Sequence, residues 1–195
     1  MLETLDSWDK QAIVFINSFH ADWLDPVVYY VTITEFWIPL YLLLLYLVFR
    51  DHRKQGWLVL VGIVVCILLT DRITSGLMKP YFERLRPSRN PELEGMLHLV
   101  NGYTGGHYGF ASSHAANTMG IALFMFLLMR ETYRWIWLMF VWAALMCYTR
   151  LYLGVHYPGD ILAGIFVGLL SGFAAFRLYK WLKRRYGKMG TSLKP

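Results

Sequence analysis

Charge is scarce in this chain. Aspartate, glutamate, lysine and arginine make up 16% of its 195 residues, against about 25% in an average soluble domain. Cysteine is scarcer still. Cys66 and Cys147 both sit inside apolar runs, which excludes a disulfide scaffold and makes them small hydrophobes. The start has no basic n-region: Met1 to His20 carries Glu3, Asp6 and Asp9, so no secretory signal is expected. No His, Cys or carboxylate cluster has the spacing of a zinc or magnesium site, so no metal or other cofactor is expected. What remains is apolar. The hydrophobic fraction is 56%, gathered into runs that composition alone would not require, and this identifies an integral membrane protein.

A membrane helix needs about 20 mostly apolar residues. Five segments qualify: Pro26–Phe49, Trp57–Leu77, Ala115–Met129, Tyr133–Leu153 and Pro158–Trp181. The third reaches full length only with the polar start at Ser112. Before them, Leu5 to Phe19 mixes Trp8, Ile13, Phe15, Ile16 and Phe19 with Asp6, Asp9, Lys10 and Asn17, the pattern of an amphipathic helix lying at the interface. The expected fold is therefore all-α. It is a single membrane-embedded helical bundle over 1–195, with an interfacial helix over 1–20, a loop over 78–111 on the outer face and a basic tail over 182–195.

Orientation follows from the basic residues. Arg50, Arg53 and Lys54 follow the first span. Arg130 and Arg134 flank the turn after the third, and Arg177, Lys180, Lys183, Arg184, Arg185 and Lys188 close the fifth. An odd number of spans puts these clusters on one side, read as cytoplasmic, with the C-terminus. This accounts for most of the net charge of +6 and removes it as an argument for nucleic acid. No obligate protein partner is evident.

Three further polar clusters then share the other face. Lys79-Pro80-Tyr81-Phe82-Glu83-Arg84-Leu85-Arg86-Pro87 ends the second span with basic groups on the side where they are not expected. Lysine offers a mobile point charge and arginine a planar fork for two phosphate oxygens. Pro80 and Pro87 are expected to break the helix, letting these side chains converge. The loop that follows holds five glycines, His98 and His107, whose spacing fits no metal pattern. Ala111-Ser112-Ser113-His114 opens the third span. There Ser112 is either a helix N-cap or part of an anion site made by free backbone N–H groups. His114 stands one turn into the membrane edge, a costly place unless it is hydrogen-bonded or functional.

The third cluster runs from Thr149 to Asp160. Gly154 is placed to end the fourth helix, and Pro158 suits the first turn of the fifth. Asp160 then lies one helical turn from His156, where its carboxylate can accept the Nδ1–H, fix the tautomer and leave Nε2 free to attack.

Together the clusters resemble the type-2 phosphatidic acid phosphatase superfamily of membrane lipid phosphatases, over roughly 67–173. The family's first motif, Lys, six residues, then Arg-Pro, matches Lys79 and Arg86-Pro87. Its second, Pro-Ser-Gly-His, is read as Ala111-Ser112-Ser113-His114. Its third, Ser-Arg, five residues, His, three residues, Asp, is read as Thr149-Arg150, His156 and Asp160. Ala111, Ser113 and Thr149 depart from the pattern without removing an ionisable group.

The resemblance implies a metal-independent hydrolase. Lys79, Arg86, Arg150 and Ser112 hold the phosphoryl group, joined by Ser113 if its hydroxyl adds a contact. His156 is the nucleophile that becomes a phosphohistidine, Asp160 orients it, and His114 is the acid and then the base. The implied substrate is a lipid phosphate presented from the bilayer. Undecaprenyl diphosphate, on the outer face of a bacterial inner membrane, is favoured. A lipid A phosphatase is a close alternative, followed by a phosphatidylglycerophosphate or phosphatidate phosphatase. Two non-enzymatic readings stay open. One is a silent lipid-binding scaffold. The other is a small channel or transporter using Glu35, Asp71 and Arg72, although a structural pairing such as Glu35 with Arg72 is the favoured role for these residues.

Overall fold

A computed structural model describes residues 2–186. The expected tail over 182–195 is described only as far as Tyr186; Lys188 and its neighbours lie outside the described residues. The helices in chain order are α1 (Leu2–Asn17), α2 (Asp25–Val31), α3 (Ile38–His52), α4 (Gly56–Asp71), α5 (Lys79–Phe82), α6 (Ser113–Met129), α7 (Leu138–Tyr152) and α8 (Pro158–Tyr186). The fold is all-helical, and no strand occurs among the described residues. Among the described residues, three helical runs are long and apolar enough to cross a membrane, Thr34–Phe82, Arg134–Tyr152 and Pro158–Tyr186, with Ser113–Met129 a shorter apolar helix. The first run folds back between α3 and α4, where Arg53 takes a positive φ of 47°.

Helix ends follow local chemistry. The Ser112 hydroxyl accepts from the Ala115 N–H at 3.4 Å and caps α6, as a serine at that position should. Gly154, at φ 65°, follows α7 in a conformation that a side chain disfavours. Pro158 opens α8, and Asp160 falls in its first turn.

Two expectations need correction. The first segment, Pro26–Phe49, is not one helix. It breaks after α2, passes through an extended Ile33 (ψ 135°) and a 3-10 turn over Thr34–Trp37, and resumes at Ile38. The β-branched run Val31-Thr32-Ile33-Thr34 favours this break, and Thr32 gains hydrogen bonds to Arg150 and Thr149 there. Pro80 also does not end the second segment. A π-helical stretch over Arg72–Met78 precedes it, and Pro80 falls in the first turn of α5, where its missing N–H is tolerated. The helix ends only at Glu83, in the left-handed region.

The core lies between α4, α6, α7 and α8, around Phe124, Met125, Met129, Ile136 and Ala143. The closest approach is that of α8 to α6. A Cβ placed on Gly164 would collide with the Ser112 carbonyl, on Gly168 with the Ala116 carbonyl, and on Gly172 with that of Gly120. Small residues at every fourth position let two backbones meet, the device by which helices associate in lipid. The start of α6 is thereby held against the start of α8, and the Ser112 N–H donates to the Asp160 carbonyl at 3.0 Å.

α1 has two unlike faces, as its sequence implies. Trp8 and Phe15 are exposed while Ile13 and Asn17 are buried. Its acidic residues do not form a solvated face, however. Asp6 and Asp9 turn toward the protein and bind Arg84.

Candidate active site

His156 sits in the short turn between α7 and α8, with 1% of its surface exposed. Its Nδ1 lies 3.3 Å from Asp160 Oδ2, and the same oxygen accepts from the Tyr157 N–H at 3.0 Å. The other oxygen accepts from Arg84 Nη1 at 2.9 Å. Arg84 also meets Asp6 at 3.0 Å and Asp9 at 2.8 Å, and its guanidinium lies 4.0 Å from the centre of the Tyr157 ring. Burial opposes the Arg84 charge, but Asp160 and Asp9 outweigh it and hold Arg84 above its ordinary value.

The other cations are differently placed. Arg150 is 1% exposed. It donates to Thr32 Oγ1 at 2.6 Å and to the Tyr103 hydroxyl at 3.1 Å, and its buried Nε has no partner. Arg86 donates to the carbonyls of Tyr108 (3.2 Å) and Val155 (3.3 Å). Lys79 donates to Ser113 Oγ at 2.8 Å and to Ser75 Oγ at 3.3 Å. None of the three forms an ion pair among the described residues. Their charges converge on His156. Burial first, then Arg86, Arg150 and Lys79, hold that imidazole well below its ordinary value, so it is neutral at pH 7. Burial and Arg150 likewise push Arg86 below its usual range, but an arginine remains charged.

Arg86 and Arg150 are buried and Lys79 is partly buried, and cations so placed without counter-ions are expensive. An anion with several acceptor oxygens would satisfy all three and the free Nε together. A neutral imidazole whose Nδ1 faces a carboxylate presents Nε2 as a nucleophile.

Most of the expected residues therefore come together. Lys79, Arg86, Arg150, His156 and Asp160 share one region, and Ser112 and His114 arrive at the start of α6. The Ser112 hydroxyl is the N-cap, and the Ser113 hydroxyl is taken up by Lys79, Thr74 and Ser75. Ser113 thus meets Lys79 directly. His114 is exposed and, with Ser113, lies at one end of a cavity of about 580 Å³ walled mainly by Leu44, Ile63, Ile67, Ile121 and Met146. His98 is structural: its Nε2 meets Asp25 at 2.7 Å, and its ring stacks on His20 at 3.8 Å. The favoured pairing of Glu35 with Arg72 does not form. Both side chains are exposed, and Asp71 meets Asn117 instead, at 3.1 Å.

The sequence and the fold find a match among known proteins. The sequence profile described as the PAP2 superfamily fits residues 55–184. The chain belongs to the PAP2 superfamily. It is a membrane lipid phosphatase and thus a hydrolase. A protein named lipid A 4′-phosphatase, from Bacteroides thetaiotaomicron, is 38% identical and covers 89% of this chain and 77% of its own length. Another of that name, from Porphyromonas gingivalis, is 31% identical over 91% of this chain and 75% of its own. A relative named undecaprenyl-diphosphatase, from Sulfolobus acidocaldarius, is more distant, at 29% over 73% of this chain and 63% of its own. The crystal structure of Aquifex aeolicus LpxE shares the fold, with a TM-score of 0.65, 23% identity and coverage of 86% of this chain and 93% of that one.

Sequence reasoning does not find Arg84, Asp6, Asp9 or Tyr103. Nothing in the first cluster separates Arg84, which pairs with three carboxylates, from Arg86, which pairs with none. The glycine-rich loop after the first cluster lies against the site. A Cβ on Gly105 would strike the Arg86 guanidinium, and one on Gly109 the Asp160 carboxylate. The five loop glycines were the available signal.

Proposed function

We propose that this phosphatase removes a phosphate monoester from an acylated sugar lipid of the lipid A class, at the 4′-phosphate that its relatives' names specify. Two relatives at 38% and 31% identity carry that name. They favour lipid A over undecaprenyl diphosphate, the substrate first expected from sequence. The observation that carries the chemistry is the set of three uncompensated cations, Lys79, Arg86 and Arg150, around neutral His156.

In this reading the cations hold the phosphoryl oxygens and stabilise them as charge redistributes. His156 Nε2 attacks phosphorus. The P–O bond to the sugar breaks, and His114 gives its proton to the departing oxygen. Asp160 supports the positive charge that develops on His156. His114 then takes a proton from water, the water oxygen attacks phosphorus, the P–N bond breaks, and inorganic phosphate leaves. The acyl chains follow the apolar cavity beside His114. We place five crossings at α3, α4, α6, α7 and α8 in one membrane domain, in a bacterial inner membrane, with the site on the outer face and the C-terminus inside, as the basic residues require.

The test is phosphate release by the full chain in detergent micelles, with lipid A, undecaprenyl diphosphate and phosphatidylglycerophosphate compared by kcat/KM. Lipid A should lead. A tenfold or greater preference for undecaprenyl diphosphate sinks the substrate assignment, on the order of 1.4 kcal/mol of discrimination. Activity should persist in excess chelator, and activity lost there but restored by a divalent ion would overturn the metal-free mechanism.

A further inference from the structure

Asp71 is left without a task by the mechanism above. It ends α4, lines the apolar cavity beside His114, and offers Oδ1 to the Asn117 amide at 3.1 Å. The Asn117 carbonyl oxygen is engaged by the Thr70 hydroxyl, which fixes the amide so that its NH2 group faces Asp71. The charge of Asp71 acts on Lys79 from a distance, but no lysine, arginine or histidine forms an ion pair with it among the described residues. Its second oxygen has no protein partner there, and the side chain is only partly buried. A carboxylate on the wall of an apolar cavity in a membrane helix is costly unless it is paired or functional, and the Asn117 amide satisfies only one of its two oxygens.

Its depth suggests the ligand. Ser113, bonded to Lys79, stands at the level of the phosphate cations. Asn117 is one helical turn further along α6, a rise of about 6 Å. Groups of the substrate at that level are the ones joined to the phosphate-bearing atom, before the hydrocarbon begins. A carboxylate oxygen accepts and cannot donate, so it calls for an O–H or N–H there.

We infer that Asp71, held by Asn117, is a specificity residue that accepts a hydrogen bond from a hydroxyl or acylamide N–H of an aminosugar beside the scissile phosphate. Polyprenyl phosphates carry no donor there and would press methylene groups against a bare carboxylate. A site built for such a donor rejects the analogue without it far more strongly than an apolar pocket rejects a hydroxyl. This inference rests on the lipid A reading and supplies a physical reason for the preference.

The experiment compares wild type, Asp71→Leu and Asp71→Asn in micelles on lipid A and on a long-chain polyprenyl monophosphate, which lacks donors. Asp71→Leu should lower kcat/KM for lipid A at least tenfold and leave the polyprenyl value unchanged or higher. If the leucine variant does not fold, Asp71→Asn, of the same size, carries the test through the same ratio. Equal losses on both lipids, or no change on either, overturn the inference. A wild type that prefers lipid A while the variants keep its selectivity overturns this inference alone. A wild type inactive on lipid A removes the substrate assignment and the inference together.

Discussion

Arg84 and His156 share one carboxylate. Arg84 Nη1 donates to Asp160 Oδ1 at 2.9 Å, and His156 Nδ1 lies 3.3 Å from Oδ2. Asp160 is fully buried, so its orientation depends on these partners and on the Tyr157 N–H. Arg84 is in turn gripped by Asp6 and Asp9 of α1, and Asp9 accepts from the Gly159 N–H at 2.8 Å. The amphipathic helix is therefore wired to the proposed nucleophile through three side chains.

Arg84→Ala should be destabilising and slow. It leaves a buried carboxylate without its cation, a loss of about 3 kcal/mol. It also frees the carboxylate that orients His156, for which a fall of about 100-fold in kcat is expected. Arg84→Lys should recover much of the stability and less of the rate, because lysine lacks the fork that reaches Asp160 and Asp6 together. Melting curves and kcat on lipid A check both. An Arg84→Ala enzyme with wild-type kcat would show that Asp160 needs no holder.

The pH dependence of stability carries a signature of His156. Its folded pKa lies well below the ordinary value because burial and three cations disfavour the imidazolium. The unfolded chain, near 6.5, takes up a proton that the folded chain refuses. The stabilisation is fully present above about pH 6.5 and is lost as the pH falls toward the folded pKa, at up to about 1.4 kcal/mol per unit. The melting-temperature difference between wild type and His156→Gln should therefore shift against the wild type between pH 7.5 and 5. Parallel curves would mean an ordinary titration.

Much of the site is legible because each piece is local. Ser112 as N-cap, Gly154 as terminator and the turn of helix joining His156 to Asp160 need only nearby residues, and apolar runs place the long helices. What is not legible depends on partners remote in the chain. Asp6 and Asp9 look like the wet face of an interfacial helix until Arg84 is seen beside them. Asn17 looks like one more polar residue there. Its side chain is buried, binds both the N–H and the C=O of His98, and donates to the Tyr152 carbonyl. The break after α2 was hidden because an apolar run reads as one span whether or not its backbone is continuous.

Gly168→Val tests the helix contact that positions His114. The new Cβ would meet the Ala116 carbonyl, and β-branching leaves no rotamer that avoids α6. Overpacking of this kind costs about 1–3 kcal/mol, and any parting of α6 from α8 displaces His114 from His156. Both melting temperature and kcat should fall. Leu170→Ala on the same helix, where the side chain is 56% exposed, should leave kcat unchanged. Equal behaviour of the two variants would deny the glycines this role.

Arg150 supplies the most direct test of the anion site. Its guanidinium is buried, has no carboxylate partner and keeps a free Nε. An oxyanion that completes these bonds binds the folded state alone and must stabilise it, by about 2.7 kcal/mol at a hundredfold excess over Kd. Orthovanadate, added to the full chain in micelles, should raise the melting temperature in a saturable way. A hydrogen bond to a charged group contributes about 1.5–3 kcal/mol, so Arg150→Ala should weaken vanadate binding by about 10- to 100-fold. Arg150→Lys should restore only part of it, because an ammonium cannot reach Thr32, Tyr103 and the anion at once. Vanadate that stabilises wild type and Arg150→Ala equally would place the anion elsewhere.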